Sequence, residues 1–165
     1  MMLYLCRHAA AADAGSDGTD ATRPLTAEGR RDFKRAVRGL RRLNVRLNYI
    51  LASPLTRAQQ TADIMLHELG EHIPAEPGII ISASLAPPGR LESFVSELRD
   101  LAGTAFSVAA VGHEPILSRW IGQICFDSPG RCRMKKGAIA AIEFDPHTGT
   151  GELAFLLQPG ALRKL

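Results

Sequence analysis

LYLCRHAAAAD, residues 3–13, runs four apolar residues straight into Arg7-His8 and then into alanines and a loop rich in Gly, Ser and Asp. Residues 2–6 are apolar and rich in strand formers, so they predict a short buried strand. A strand that ends on a cation beside an imidazole is either a solvated strand end or a piece of a site. The pattern recurs twice. YILA at 49–52 breaks into Ser53-Pro54-Leu55-Thr56-Arg57, and FSVAAV at 106–111 breaks into Gly112-His113-Glu114-Pro115.

Helical spacing fills the intervals between these strands. Residues 9–24 form a long loop punctuated by Gly15, Ser16, Asp17, Gly18 and Asp20. Thr26 is a good N-cap, with Glu28 in the first turn of a helix whose apolar stripe is Phe33, Val37, Leu40 and Leu43. The other face carries Arg30, Arg31, Lys34, Arg35, Arg38, Arg41 and Arg42, a solvated face first and a docking surface for an acidic partner second. A second helix follows Ser53-Pro54, with Pro54 near its first position. A third strand is expected within 78–83, then helices over Leu91–Leu101 and 116–124. AIAAIEF and GELAFLL form a hairpin around DPHTGTG. No repeat or linker appears, so one domain is expected over 1–165.

Strands alternating with helices predict an α/β fold with a mainly parallel sheet covered on both faces. In such sheets ligands bind beyond the carboxyl ends of the strands. Arg7, His8, Arg57 and His113 therefore converge on one edge, where the N-termini of two following helices add N–H donors. That inventory suits a phosphoryl group. Arginine presents a planar fork of donors to its oxygens. Neutral imidazole can attack phosphorus, and a second imidazole can donate to an oxygen or assist proton transfer.

Composition narrows the classes. The chain has 165 residues, 45% hydrophobic and 22% charged, with a net charge of +3 and 5% aromatics. This is ordinary globular composition, without the dense basic and aromatic patch of a nucleic-acid binder. No run approaches the roughly 18 apolar residues of a membrane helix, and the opening MMLYLCRH shows no positive n-region, long apolar stretch or cleavage site. Cys6, Cys125 and Cys132 lack metal spacing, so a reduced, cytoplasmic protein is expected, with a Cys125–Cys132 bridge as the alternative. HELGEH at 67–72 spaces its histidines five apart, about 500° around a helix, which does not form a zinc-protease pair; a helix end at Gly70 is expected. Lys135-Lys136 either borders the site or protects a strand edge with charge, and the second is preferred.

Four motifs in order, three of them the strand-end clusters, resemble the histidine phosphatase superfamily, the phosphoglycerate-mutase-like fold. Its Arg-His pair is Arg7-His8, its L-T-x-x-G is Leu25-Thr26-Ala27-Glu28-Gly29, its S-P-L-x-R-A-x-Q-T-A runs from Ser53 to Ala62, and its late Gly-His is Gly112-His113. The short length, RPLT at 23–26 and VGHEP at 111–115 resemble most the SixA-like phosphohistidine phosphatases. The resemblance implies a three-layer α/β/α sandwich and a phosphatase without metal or organic cofactor. It implies His8 as nucleophile, Arg7, Arg57 and His113 as holders of the phosphoryl oxygens, and Arg23 as a weaker candidate for substrate contact. The implied partner is a phosphohistidine-bearing protein such as a phosphotransfer domain.

Two positions depart from the family pattern. Arg-His-Gly becomes Arg7-His8-Ala9, and alanine disfavours a positive φ. Larger members supply an acidic residue in mid-chain, where this chain reads SASLAPPGRLE, with Glu92 inside a predicted helix and Glu114 beside His113 as the remaining carboxylates. A missing acid favours a phosphohistidine over an alkyl phosphate, because imidazole leaves more easily than an alkoxide. The alternatives are a broad phosphomonoesterase of the same superfamily and an idle phosphate- or phosphopeptide-binding module.

Overall fold

A computed structural model describes residues 1–69, 78–103, 107–129 and 132–165. Its strands are β1 (Met2–Arg7), β2 (Tyr49–Ala52), β3 (Ile79–Ile81), β4 (Ser107–Gly112), β5 (Ile139–Asp145) and β6 (Thr150–Leu157). They form one sheet in the order β3-β2-β4-β1-β5-β6. The first four neighbours run parallel, and β5 and β6 complete the sheet antiparallel. The fold is α/β with a mainly parallel sheet, as the strand–helix alternation predicts.

The helices are α1 (Ala27–Arg42), α2 (Thr56–Leu69), α3 (Leu91–Leu101), α4 (Ile116–Phe126) and the short α5 (Pro159–Leu162). Strand pleating sorts them into two layers. Tyr4 and Cys6 point into a core with Phe33, Val37 and Leu40 of α1, Met65 of α2 and Leu162 of α5. Leu3 and Leu5 point the other way, onto Phe94 and Leu98 of α3 and Trp120 and Ile121 of α4. With both faces covered, β1 is apolar along nearly its whole length, as central parallel strands are.

Thr26 caps α1 as expected, its Oγ1 accepting from Gly29 N–H at 2.9 Å. Gly29 is required there because a Cβ would lie 2.2 Å from Ala10 O. That contact seats the helix start against the loop that leaves His8. Leu43 does not continue the stripe. It is the C-cap, 42% exposed, because the chain turns away at Asn44 with φ 55°.

Other boundaries shift for local reasons. Pro54 precedes α2 by two residues, since Ser53-Pro54-Leu55 forms a turn and Leu55 O accepts the N–H groups of Ala58 and Gln59. β3 is shorter than expected and passes into a 3-10 turn at Ala83–Leu85. β4 starts at Ser107, and Phe106 lies outside the described residues, as do Gly70 and His72 of HELGEH. α4 runs to Phe126 and ends on Asp127 at φ 47°. The three cysteines are free, so the Cys125–Cys132 alternative is not realised. Among the described residues, no helix is long and apolar enough to cross a membrane.

Candidate active site

Parallel pairing in register delivers the strand ends together. Arg7 pairs with Gly112 across β1 and β4, and Ala52 pairs with Val111 across β2 and β4. The ladder continues one residue past the strands, with His8 N–H on Gly112 O at 3.1 Å and Ser53 N–H on Val111 O at 3.0 Å. The His8 and His113 rings then stand 5.1 Å apart, centroid to centroid.

His8 is only 7% exposed. Its Nδ1 lies 2.7 Å from Ala9 O, an acceptor, so Nδ1 carries the proton and Nε2 keeps its lone pair. Burial pushes the imidazole pKa down to about 4; the charges of Arg57, Arg7 and Lys136 push the same way, against the Ala9 hydrogen bond. His8 is therefore neutral at pH 7. Ala9 meets the departure from glycine without strain. It keeps a negative φ and anchors through its N–H to Thr61 Oγ1 at 3.1 Å.

His113 Nε2 lies 2.8 Å from Ser53 Oγ. That oxygen also accepts Leu55 N–H at 3.3 Å. His113 Nδ1 is buried and without a partner. Burial first, then His8 and Arg57, push the His113 pKa down to about 3. Sequence reasoning noted Ser53 as part of a motif but not as the group that orients His113.

The arginines are held differently. Arg7 Nη1 donates to Met134 O at 2.6 Å, while its Nε is buried and unpartnered. Burial lowers its pKa and Glu114 opposes the shift. Arg57 is no surface residue. It is 6% exposed and donates to Asp20 O at 2.7 Å and Asp20 Oδ2 at 2.9 Å. Arg23 donates to Ala12 O at 2.6 Å and to Asp20 Oδ1 at 2.7 Å. One carboxylate thus sits between two guanidinium groups, which hold its pKa below the usual range. Asp20 was legible only as a loop breaker. A charged residue three before a candidate substrate arginine was the available signal.

A cleft of about 660 Å³ is lined by Arg7, Ala9 and Glu114, the neighbours of His8 and His113, while His8, Arg57 and His113 themselves do not line it. Lys135 and Lys136 line it, so they border the site. The preferred alternative fails because β5 is not an edge: it pairs with β1 and β6. Glu114 also lines the cleft, with Oε1 accepting from Ser118 Oγ at 2.5 Å. The end of β3 brings Ser82 and Ser84 but no carboxylate, and Glu92 stands exposed in the first turn of α3. Among the described residues, no three His, Cys, Asp or Glu side chains cluster as metal ligands.

Residues 3–80 match the model of the histidine phosphatase superfamily, branch 1. An uncharacterised protein of Picosynechococcus sp. is 36% identical, over 96% of this chain and 97% of that one. Phosphohistidine phosphatase SixA of Escherichia coli is 28% identical, over 99% of this chain and 97% of its own. The solved structure of the protein histidine phosphatase SixA complexed with tungstate superposes with a TM-score of 0.84 at 25% identity, covering 98% of this chain and 99% of that one.

Proposed function

The chain belongs to the histidine phosphatase superfamily and is a phosphatase, and we propose that it removes phosphoryl groups from protein histidines through a transient phosphohistidine on His8, without a metal. The observation that carries this reading is the state of His8: neutral, with Nδ1–H tied to Ala9 O and Nε2 free. Full-length similarity to SixA of Escherichia coli, a phosphohistidine phosphatase, supports the choice of substrate.

In the first step His8 Nε2 attacks phosphorus while the P–N bond to the substrate ring breaks. A phosphohistidine ring takes up a proton on its other nitrogen near the ordinary imidazole range of about 6.5. It then departs as neutral imidazole, so no strong acid is needed. The phosphorylated His8 ring is cationic, with its Nδ1–H still on Ala9 O. Water then attacks phosphorus, His8 leaves in its original tautomer, and the water proton passes to phosphate or solvent.

Arg7 and Arg57 hold the non-bridging oxygens, each pair worth on the order of 4 kcal/mol at about 4 Å before desolvation. His113 donates from Nδ1 to the same group, which gives that buried nitrogen its missing partner. Arg23 approaches from the loop beside Arg57 and contacts the phosphoryl or its carrier.

A rapid-quench experiment tests the intermediate. Wild type mixed with a histidine-phosphorylated phosphotransfer domain is expected to carry acid-labile, base-stable phosphate, absent in His8→Ala. Phosphate release by wild type without any such label would exclude the covalent route. An acid-stable label would place the phosphate on another residue.

A further inference from the structure

The segment from Met134 to Ala138 lies outside the family motifs, yet it is stapled to the catalytic pair. Gly137 N–H reaches Arg7 O at 3.0 Å and His8 O at 3.1 Å, and Arg7 N–H donates to Ala138 O at 3.0 Å. Arg7 Nη1 takes Met134 O. Gln158 braces the outer side, accepting from Lys135 N–H at 3.0 Å and donating to Arg133 O at 2.6 Å. Gly137 makes the turn at φ 81°, a conformation costly for other residues, with Phe33 beneath it. Such a brace fixes where the preceding side chain starts.

That side chain is Lys136. It lines the same cleft as Arg7 and Ala9. It has no ion pair among the described residues, whereas Arg163 on the same cleft is paired with Asp32. Charge counting shows a place for it. Arg7, Arg23 and Arg57 face the carboxylates of Asp20 and Glu114, which leaves one net positive charge around two neutral histidines. A phosphoryl dianion brings two negative charges. Besides Arg7, the cleft-lining cations without an ion pair among the described residues are Arg133, Lys135 and Lys136, and of these it is Lys136 whose charge acts on the His8 ring.

We propose that Lys136 is a phosphoryl-binding residue of this site, closing over the bound group from the cleft as the cation that offsets Asp20 and Glu114. A lysine suits this position, being a point charge on a flexible stem that binds phosphate without a fixed fork geometry. The Lys136 charge is already felt by the His8 ring. This proposal rests on the phosphatase reading above and is tested by binding, which needs no turnover.

Calorimetric titration with inorganic phosphate at low salt compares wild type with Lys136→Met and Lys136→Arg. Lys34→Met removes the same charge from the outer face of α1. Lys136→Met is expected to weaken phosphate binding about tenfold and flatten its salt dependence. Lys136→Arg is expected to recover most of the loss, and Lys34→Met to bind like wild type. A Lys136→Met affinity within about twofold of wild type overturns the proposal, as does an equal loss in Lys34→Met. Wild type that binds phosphate but releases none from phosphohistidine would overturn the substrate reading alone. Wild type that binds no phosphate would overturn both.

Discussion

Four parallel strands bring their carboxyl ends to one edge of the sheet, and they do not bring the same chemistry. β1, β2 and β4 end in Arg7-His8, in Ser53 with Arg57 a turn later, and in His113. β3 ends in Ser82 and Ser84, whose hydroxyls bond each other at 2.7 Å, followed by the fully buried Leu85. Three ends supply a neutral imidazole, cations and a hydroxyl bonded to the second imidazole. The fourth closes on itself and offers no acid. The proposed holding and attack of a phosphoryl group draws on those three ends, whereas β3 adds no carboxyl group to protonate a poor leaving group. Among the described residues, Glu114 after β4 is the one carboxylate of this edge that lines the cleft. Under the proposed function, this contrast favours substrates whose leaving group departs without help.

The largest effect should come from breaking a charged end. Arg57→Ala is expected to lower kcat/KM for a phosphohistidine protein by about 10²–10³-fold in a phosphate-release assay. Arg57→Lys should recover little, because the fork holds Asp20 through two bonds and, under the proposed function, the phosphoryl group as well. An Arg57→Ala variant within threefold of wild type would remove β2 from the chemistry.

Acid sensitivity separates the same two kinds of strand end, since both histidines lie on the charged ones. Their folded pKa values, about 4 for His8 and about 3 for His113, are below the unfolded value near 6.5. The unfolded chain therefore binds more protons in that window, and stability falls as pH drops from 6.5 towards 4, with no further loss from His8 below that. For His8 the loss is on the order of 3 kcal/mol. Urea unfolding followed by circular dichroism at pH 7 and pH 4.5 should show it. His8→Ala should lessen the pH dependence, and an unchanged dependence would mean the rings titrate in solvent.

A gain of function sharpens the comparison at the fourth end. Ser84→Glu places a carboxyl group where β3 brings none, and burial there raises its pKa towards that of a useful acid. Hydrolysis of an alkyl phosphate is expected to rise about tenfold, with phosphohistidine turnover no faster. A folded variant that gains nothing on the ester would mean the missing acid does not set specificity. The smallest effect belongs to the scaffold: Thr26→Ala should cost about 1 kcal/mol in urea unfolding and leave kcat and KM within twofold.

The sequence displayed the three charged ends because each is local: an apolar strand and its polar break occupy consecutive residues. Parallel topology followed from the alternation of strands and helices, and with it the meeting of Arg7, His8, Arg57 and His113. What stayed hidden depends on pairs far apart in the chain. Asp20 looked like loop punctuation because nothing in its neighbourhood announces Arg57, thirty-seven residues away. Lys136 was misjudged because only the pairing of β5 with both β1 and β6 shows that it stands beside no exposed edge. α5 escaped because its four residues are too few to show a helical period.

The selectivity of wild type tests the central claim most directly. Its kcat/KM would be measured on a histidine-phosphorylated phosphotransfer domain and on phosphoserine, with His8→Ala as the blank. A site with a neutral imidazole nucleophile and no acid at the fourth strand end predicts preference for the phosphohistidine by about 10²-fold or more, the usual worth of a general acid, with both activities lost in the variant. Equal or faster hydrolysis of phosphoserine would contradict it.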